Sequence, residues 1–383
     1  QMRDGMYFHP TSGLVTSNLN DILMHVSSTQ TATSTTAPSA LKFAIKRAQE
    51  LLSATSTAPS VASSDDGWRT VTLAIWDPAA PTSVEAIRIV TLEKNGMKLR
   101  ELANPIVGIR VARSNGANSE FSVATGEMIV AVRYPIYRER KISAKKIVYD
   151  VSDIIYTPYA RALHTPEMIA EGKQWLDQTV AGVFEELRRE GIPSRVSSNR
   201  LVADVIDPEF VKRILLVEHL DENALQNDAR RQIEALFVTL GANEDRAFTV
   251  AKSKAGALGL AQFIPKTYAA LVRWPHLHLE QNFEKGMRDP KNAIRAEVAY
   301  LDYLLSRLPD EIHASSMPRE RVEEIVAASY NGGATRAASA MKAWEENLDP
   351  SQRLHVKSRS RLKLETMKYV LKLRALRRSA NLP

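Results

Sequence analysis

The middle of the chain alternates apolar and polar positions in short runs. From Trp68 to about Tyr156 the runs are TVTLAIW, VEAIRIVTLE, IVGIRVA, EMIVAVRYPIY and KKIVYDV, and Asp-Pro, Asn-Gly and Gly-Ala-Asn breaks separate them. Alternation of this kind, interrupted by turn residues, is typical of antiparallel strands joined by short connections. We therefore predict a small β domain over residues 67–160. Its residues contain no Gly-rich phosphate loop and no His cluster, so they do not indicate what the domain does.

After Pro158 the apolar residues recur with helical spacing. Thr165-Pro166, Asp207-Pro208 and Asp289-Pro290 each precede an amphipathic stretch, as expected for an N-cap residue followed by proline in the first helical turn. We predict a helical connector over 161–206 and an all-α domain over 207–383. The predicted fold class is thus α+β multidomain, with a small antiparallel β domain followed by an all-α domain.

The first 66 residues differ from both of these regions. Residues 27–40 and 53–66 are rich in Ser, Thr and Ala, with some Pro, and such stretches bury too little apolar surface to fold alone. Apolar residues return at helical spacing only from Ala40 to Leu52. We predict an N-terminal arm over 1–66 that contains one short helix.

Composition and charge exclude some classes of function. The 383 residues contain no Cys, which removes disulfides, thiolate metal sites and thiol nucleophiles. The formal net charge is +7, and residues 351–383 carry ten Lys and Arg against one acid. A basic end can contact nucleic acid or an anionic surface, although the solvated face of a terminal helix explains it equally well. The pair His276-x-His278 lies in a predicted loop, and we expect no metal and no cofactor.

Three short segments carry candidate chemistry. The first, SKAGALGLAQFIP from Ser253, has two glycines that allow a tight turn and places Gln262 in an apolar run, where an amide needs a partner. The second, AASYNGG at 327–333, ends a helix and is explained equally well as a C-cap. In the third, Glu365 and Tyr369 are four residues apart on one helix face.

Together and in this order, these segments resemble the lytic transglycosylases of the goose-type lysozyme superfamily. The matching segments are SKAGALGLAQ at 253–262, DPKNAIRAEVAYL at 289–301, ASYNGG at 328–333 and ETMKYV at 365–370. The resemblance covers roughly residues 208–378. One departure is Ala261, which stands where the family commonly has Met before the Gln, so that wall of a substrate groove would be smaller.

The resemblance implies a lysozyme-like fold for the all-α domain and roles for single residues. The matching positions are Ser253, Gln262, Tyr330, Asn331, Glu365 and Tyr369. The first two are implied to orient the acid or the N-acetyl group of the substrate. The next two would line the groove near the cleaved bond, and the last two would close the groove.

Two glutamates compete for the role of the catalytic acid. Counting back nine residues from Ser253, as the family's spacing requires, reaches Glu244. Glu218 lies near the end of RILLVEHL, which resembles the family's first helix but requires an insertion of 26 residues. A general acid must stay protonated near neutral pH, and an apolar setting such as that of Glu218 favours the protonated form. We prefer Glu218 and keep Glu244 as the alternative.

The implied activity is cleavage of the β-1,4 bond between N-acetylmuramic acid and N-acetylglucosamine in peptidoglycan, with a 1,6-anhydromuramic product. A single Glu would act as acid and then as base. Two alternatives stay open: a hydrolytic muramidase in which Asp221 or Glu222 positions water, and an inactive peptidoglycan-binding envelope protein. The expected partners are peptidoglycan glycan strands, with the basic C-terminal helix helping contact with an anionic envelope surface. We expect no nucleic acid, and location in the periplasm or cell envelope.

Overall fold

The computed structural model divides the chain into two compact units, residues 11–162 and a second unit that includes residues 163–383. The structure describes residues 40–54, 61–62, 67–92, 98–99, 109–113, 120–123, 126–143, 146–253, 255–309, 317–333 and 364–380. Most of the predicted N-terminal arm and the basic segment 351–363 lie outside the described residues.

The first unit is built on an antiparallel sheet. Its elements are helix α1 (Ala40–Ala54) and strands β1 (Val61–Ala62), β2 (Trp68–Trp76), β3 (Val84–Leu92), β4 (Lys98–Leu99), β5 (Arg110–Arg113), β6 (Glu120–Ser122), β7 (Met128–Ser143) and β8 (Lys146–Tyr156). Six strands pair in the order β1-β8-β7-β2-β3-β4, and β5 pairs with β6. The small antiparallel β domain predicted from the alternation is therefore confirmed.

Helix α1 packs on this sheet through one apolar stripe, of which Ile45 and Leu52 are buried. The buried guanidinium of Arg133 on β7 joins the two layers. It donates to the carbonyl oxygen of Leu52 at 3.2 Å and to Oγ1 of Thr72 at 3.1 Å. A buried cation is tolerated only when its donors are used, so these bonds fix the helix on the sheet.

The second unit is helical. Its helices are α2 (Pro166–Arg189), α3 (Val202–Val205), α4 (Pro208–His219), α5 (Glu222–Asn243), α6 (Pro265–Val272), α7 (Phe283–Arg288), α8 (Pro290–Ser306), α9 (Arg319–Gly332) and α10 (Leu364–Ala380). Helix α5 is interrupted at Asp228, whose backbone is not helical. The predicted all-α domain after the sheet is confirmed.

The long helices begin where the sequence predicts. The side chains of Thr165, Asp207 and Asp289 accept hydrogen bonds from the free backbone N–H groups of α2, α4 and α8, respectively, and a proline follows each of them. These bonds satisfy donors that have no partner within the helix. Local side-chain chemistry therefore sets the start of three helices.

One apolar core joins these helices. Helix α8 lies inside it, since nearly all of its residues from Pro290 to Leu304 are buried. Residues 161–206, predicted as a connector, contribute α2 and α3 to the same core. Helices α2 and α5 touch at Gly172, where a Cβ atom would lie 1.8 Å from the carbonyl oxygen of Phe237. None of the helices within the described ranges is long and apolar enough to cross a membrane.

Candidate active site

Glu218 lies in the last turn of α4, a helix that is apolar on the side facing the core. Its side chain is partly accessible to solvent and otherwise surrounded by protein. The hydroxyl of Tyr369 on α10 donates a hydrogen bond of 2.8 Å to Oε1 of Glu218. Two segments 151 residues apart in the chain thus meet at this carboxyl group.

The surroundings of Glu218 favour its protonated form. Burial raises the pKa of Glu218 from 4.5 to about 7, the nearby Glu365 carboxylate adds to the rise, and the Tyr369 hydroxyl and the Lys372 ammonium oppose it. Burial dominates because the charged carboxylate loses more hydration than one hydrogen bond returns. Near neutral pH, Glu218 is therefore present in both its protonated and its charged form.

Glu244 is placed differently. It is exposed and begins the short 3₁₀ helix Glu244–Arg246 with a positive φ of 49°. The neighbouring Asp245 accepts a hydrogen bond from the indole of Trp175, also at the surface. Glu244 therefore does not have the surrounding protein that encloses the side chain of Glu218.

The glycine-punctuated segment forms a compact turn in front of α6. The Ser253 hydroxyl accepts a hydrogen bond from the N–H of Ala257 at 3.0 Å, which stabilises the turn from within. Gly259 has φ 76°, and a Cβ atom there would lie 1.9 Å from the carbonyl oxygen of Met287. Only glycine fits such a position, for both conformational and steric reasons.

Gln262 also has a positive φ, of 48°, and its side chain folds back on the turn. Its amide nitrogen donates to the carbonyl oxygens of Ala251 at 3.1 Å and Gly259 at 2.8 Å. Because both N–H groups of the amide are used, the amide oxygen is the atom left to accept a hydrogen bond from a ligand.

Two side chains attach this turn to the helices of the site. The Tyr330 hydroxyl on α9 donates to the carbonyl oxygen of Ala261 at 2.7 Å. His219, next to Glu218, donates from Nε2 to the carbonyl oxygen of Leu260 at 2.8 Å and stacks on Phe248 with ring centroids 3.9 Å apart. Burial lowers the pKa of His219 to about 4, so it is a neutral structural donor at neutral pH.

Aromatic rings form one wall next to Glu218. The rings of Tyr330 and Tyr369 stack with centroids 6.4 Å apart, and Tyr300 and Phe263 lie 5.4 and 5.8 Å from Tyr330. Burial, reinforced by the charge of Glu218, raises the pKa of Tyr369 well above its ordinary value, so its hydroxyl stays a donor.

The ends of α9 and α10 meet beside this wall. Oδ1 of the exposed Asn331 accepts a hydrogen bond from the Thr366 hydroxyl at 2.8 Å, and a Cβ atom at Gly332 would lie 2.9 Å from that hydroxyl oxygen. Glu365, the residue before Thr366, is exposed and raises the pKa of Glu218 through its charge. The structure thus brings Glu365 and Tyr369 to Glu218, and it brings Tyr330 beside Tyr369.

Two residues of this cluster were not among the candidates predicted from the sequence. His219 was an isolated histidine in the sequence. Glu297 lies in the apolar run IRAEVAYL of α8, is 0 % exposed, and feels the charge of Glu218. A single carboxylate within an otherwise apolar helical stretch was the available signal, because such a group is expensive to bury.

Residues 224–349 match the family model described as Transglycosylase SLT domain. The helical unit therefore contains a lytic transglycosylase-type domain, which confirms the resemblance and indicates a function on peptidoglycan. No curated protein matches the chain.

The matched segment contains some of the candidate residues and leaves out others. It includes Glu244, and it includes Ser253, Gln262, Tyr330 and Asn331. Glu218 lies before its first residue, whereas Glu365 and Tyr369 lie after its last. The preference for Glu218 over Glu244 therefore rests on burial and on the hydrogen bond from Tyr369.

Proposed function

We propose that this protein is a peptidoglycan lytic transglycosylase that cleaves the β-1,4 bond between N-acetylmuramic acid and N-acetylglucosamine, with Glu218 as the acid and then the base. One observation carries the proposal: in a unit that contains a transglycosylase SLT domain, burial raises the pKa of Glu218 to about 7 while Tyr369 holds its carboxyl group in place.

In the first step, protonated Glu218 gives its proton to the bridging glycosidic oxygen. The bond from C1 of the muramoyl residue to that oxygen breaks, and the oxygen leaves with the bonding electrons as the hydroxyl of N-acetylglucosamine. Positive charge develops at C1, as in other glycosidic cleavages. Glu218 is then a carboxylate, which the Tyr369 hydroxyl and the charge of Lys372 stabilise.

In the second step, the Glu218 carboxylate takes the proton of the muramoyl 6-hydroxyl. Oxygen O6 bonds to C1 and closes the 1,6-anhydro ring, so no water is consumed. Glu218 has regained its proton and is ready for another cycle. A pKa near 7 suits both steps, because proton transfer is most effective when the pKa of the group lies near the working pH.

The other candidate residues would bind and orient the glycan. The amide oxygen of Gln262 is suited to the N–H of an N-acetyl group, since the amide nitrogen is occupied by the turn. Asn331 and Glu365 are exposed next to the tyrosine wall, where polar groups can contact sugar hydroxyls. The hydroxyl of Ser253 stabilises the turn and would act on the substrate only through it.

A hydrolytic muramidase needs a carboxylate that positions a water molecule. Of the two residues considered for this role, Asp221 is half-buried just after α4, and the side chain of Glu222 lies outside the described residues. The described part of the chain gives no observation that favours hydrolysis, and an analysis of the reaction products distinguishes the two reactions.

A substrate outside the cytoplasm implies export, and we propose that the protein works in the periplasm or cell envelope. The basic end would then help contact with an anionic wall or membrane. On α10, Arg374 and Arg377 form ion pairs with Glu324, and Arg377 also pairs with Glu323. This part of the proposal therefore depends mainly on the sequence charge of residues 351–363.

The test is a digest of purified peptidoglycan followed by mass spectrometry, with the parent beside Glu218→Gln and Glu244→Gln. The expected products carry anhydromuramic ends, which are lighter by one water than reducing ends. Glu218→Gln should release no product, whereas Glu244→Gln should match the parent. Reducing ends would show a muramidase, loss of activity only in Glu244→Gln would make that residue the acid, and binding without products would show an inactive wall-binding protein.

A further inference from the structure

Strands β7 and β8 of the first unit form a hairpin that extends past the neighbouring strands. The register of β7 with β2 ends at Arg133, and β1 pairs with β8 at Tyr149 and Asp150. The ladder between β7 and β8 continues to the pair of Ser143 and Lys146. At about 3.3 Å per residue, the part from Tyr149 to Lys146 extends about 10 Å beyond β1. In the described part of the sheet, the end of this hairpin is therefore a ribbon of two strands.

We call residues 140–143 and 146–148 the hairpin end. It presents two isoleucines to solvent, since Ile142 is 53 % exposed and Ile147 is 41 % exposed. Among the described residues, these are two of the four large apolar side chains that are exposed. A ribbon of two strands encloses no core, so the hairpin end cannot bury these side chains by itself.

Positive charge surrounds the two isoleucines. Residues 138–148 carry five Lys and Arg against one acid, Glu139. Lys141 stands opposite Ile147 in the ladder, so the two side chains lie on the same face of the ribbon. Lys146 comes directly before Ile147 in the chain. Both lysines are exposed, and within the described residues no ion pair involves either of them.

The nearest acids lie further back along the hairpin. Asp150 forms an ion pair of 2.8 Å with Arg140, and Glu139 stands opposite Tyr149. Along their strands, these acids are two and four residues further from the turn than the two lysines. The outermost described part of the hairpin therefore combines exposed isoleucines with exposed lysines.

Charge alone does not explain this combination. Lysines on an exposed strand hinder pairing with other sheets, and a nucleic acid or another anionic polymer would also attract them. Neither explanation accounts for two exposed isoleucines, because isoleucine does not stack on bases as aromatic side chains do. A second copy of the chain would cover the isoleucines but would bring like charges together. An anionic bilayer suits both kinds of side chain, since its phosphates attract lysine and its acyl chains accept isoleucine.

We propose that the hairpin end binds the surface of an anionic lipid bilayer. Ile142 and Ile147 enter the boundary between headgroups and acyl chains, and Lys141 and Lys146 contact lipid phosphates. The length of about 10 Å is of the order of the depth, about 5–10 Å, to which amphipathic helices enter a bilayer. The proposal concerns the first unit and does not depend on the proposed reaction.

Two double variants separate the contributions of charge and of apolar surface. Each basic residue near an anionic bilayer strengthens binding roughly fivefold, so Lys141→Gln with Lys146→Gln should weaken binding about 30-fold at low salt. That loss should shrink at high salt, because salt screens the attraction. Ile142→Thr with Ile147→Thr keeps the branched shape that suits a strand but removes apolar surface. It should weaken binding by at least about tenfold, with little dependence on salt.

The experiment measures sedimentation of the full chain with vesicles of equal parts phosphatidylglycerol and phosphatidylcholine, and with vesicles of phosphatidylcholine alone. The parent should bind the anionic vesicles more tightly than the neutral ones. Lys266→Gln with Lys291→Gln is the control for charge, since it removes two exposed lysines from the second unit. Ile264→Thr is the control for apolar surface, because Ile264 is 38 % exposed in the second unit. Both controls should bind nearly as tightly as the parent.

A dye attached to the hairpin end reports whether it enters the bilayer. Since the chain has no Cys, Ile142→Cys provides a single position for an environment-sensitive fluorophore. Ser83→Cys is the matched position, exposed between β2 and β3 at the opposite end of the sheet, where Trp76 pairs with Met128. Anionic vesicles should shift the emission of the dye at position 142 to the blue, and nitroxide groups on the acyl chains should quench it. The dye at position 83 should show neither effect.

Several results would overturn the proposal. If both hairpin variants bind the vesicles like the parent, another surface such as the basic segment 351–363 holds the bilayer. Loss of binding in the lysine variant alone, together with an unshifted dye, would indicate contact with an anionic polymer instead. A dimer of the parent that disappears in the threonine variant would indicate a second copy of the chain. If the threonine variant does not fold, the dye at position 142 decides.

Discussion

The hydroxyl of Tyr369 lies 2.8 Å from Oε1 of Glu218 and donates a hydrogen bond to it. This bond stabilises the carboxylate form of Glu218 and so opposes the larger effect of burial on its pKa. The last described helix therefore adjusts the acidity of a residue at the end of α4.

Tyr369→Phe should raise the pKa of Glu218 above about 7, because it removes the bond but keeps the ring. The expected rise is about one unit, corresponding to roughly 1.4 kcal/mol. The rate of peptidoglycan cleavage should then fall at a higher pH than in the parent. Tyr268→Phe is the control: its hydroxyl bonds the Glu280 carbonyl and Asn292, so it should lower stability without moving the pH profile.

Glu218 should also make stability depend on pH. Its pKa is higher in the folded chain, at about 7, than its ordinary 4.5, so the folded state binds the proton more tightly. The stability of the parent should therefore fall as pH rises from about 4.5 to about 7, by up to about 3 kcal/mol from this group. Glu218→Gln should equal the parent near pH 4 and exceed it at pH 8.

Chemical unfolding of both proteins at several pH values measures this difference, and other titrating groups cancel in the comparison. If the free energies of unfolding of Glu218→Gln and the parent differed by the same amount at pH 4 and at pH 8, this would contradict a raised pKa for Glu218.

Gly259→Ala should disrupt the turn that carries Gln262. The added Cβ atom would lie 1.9 Å from the carbonyl oxygen of Met287, and the backbone has φ 76°. Gly256 has a similar φ of 82°, but among the described residues a Cβ atom there would approach only Cδ of Pro265, at 3.9 Å. Gly256→Ala should thus cost about 1–2 kcal/mol, the strain of the left-handed backbone alone, and Gly259→Ala clearly more. Thermal unfolding of the two variants measures this difference in stability.

Glu324 should be needed to hold α10 on α9. It is buried and forms ion pairs with Arg321, Arg374 and Arg377. Glu324→Gln removes a buried negative charge that all three arginines face, although Arg377 keeps its pair with Glu323, and we expect a loss of about 3 kcal/mol in the free energy of unfolding.

Faster hydrogen exchange in residues 364–380 should accompany that loss. The exposed pair Arg188–Asp204 provides the comparison, since Asp204→Asn should change stability by less than about 1 kcal/mol. If Glu324→Gln and Asp204→Asn lost similar amounts of stability, the burial of the Glu324 ion pairs would add nothing to the stability of the protein.

Local signals explain why much of the fold could be predicted. The caps at Thr165, Asp207 and Asp289 act within one helical turn. The β-rich runs also marked β2 and β7 as strands, although most consecutive residues of both are buried and their burial does not alternate. The break of α5 at Asp228 lies within a continuous helical pattern and gave no such signal.

The site was harder to predict from the sequence than the fold, because its chemistry depends on which segments pack together. Spacing alone leads from Ser253 to Glu244, which is exposed. The apolar neighbours of Glu218 were visible in the sequence, but the contact with Tyr369 was not. Glu297 was visible as a charged residue in an apolar run, yet the influence of Glu218 on its pKa depends on the packing of α8 against α4 and α9.

The order of the segments along the chain also sets the order in which the site can form during synthesis. Glu218 leaves the ribosome 151 residues before Tyr369. At the usual rates of translation, this delay is about 8 to 30 s. During that interval Glu218 lacks the hydroxyl that holds it, so the tuned acid exists only once α10 has been made and has docked.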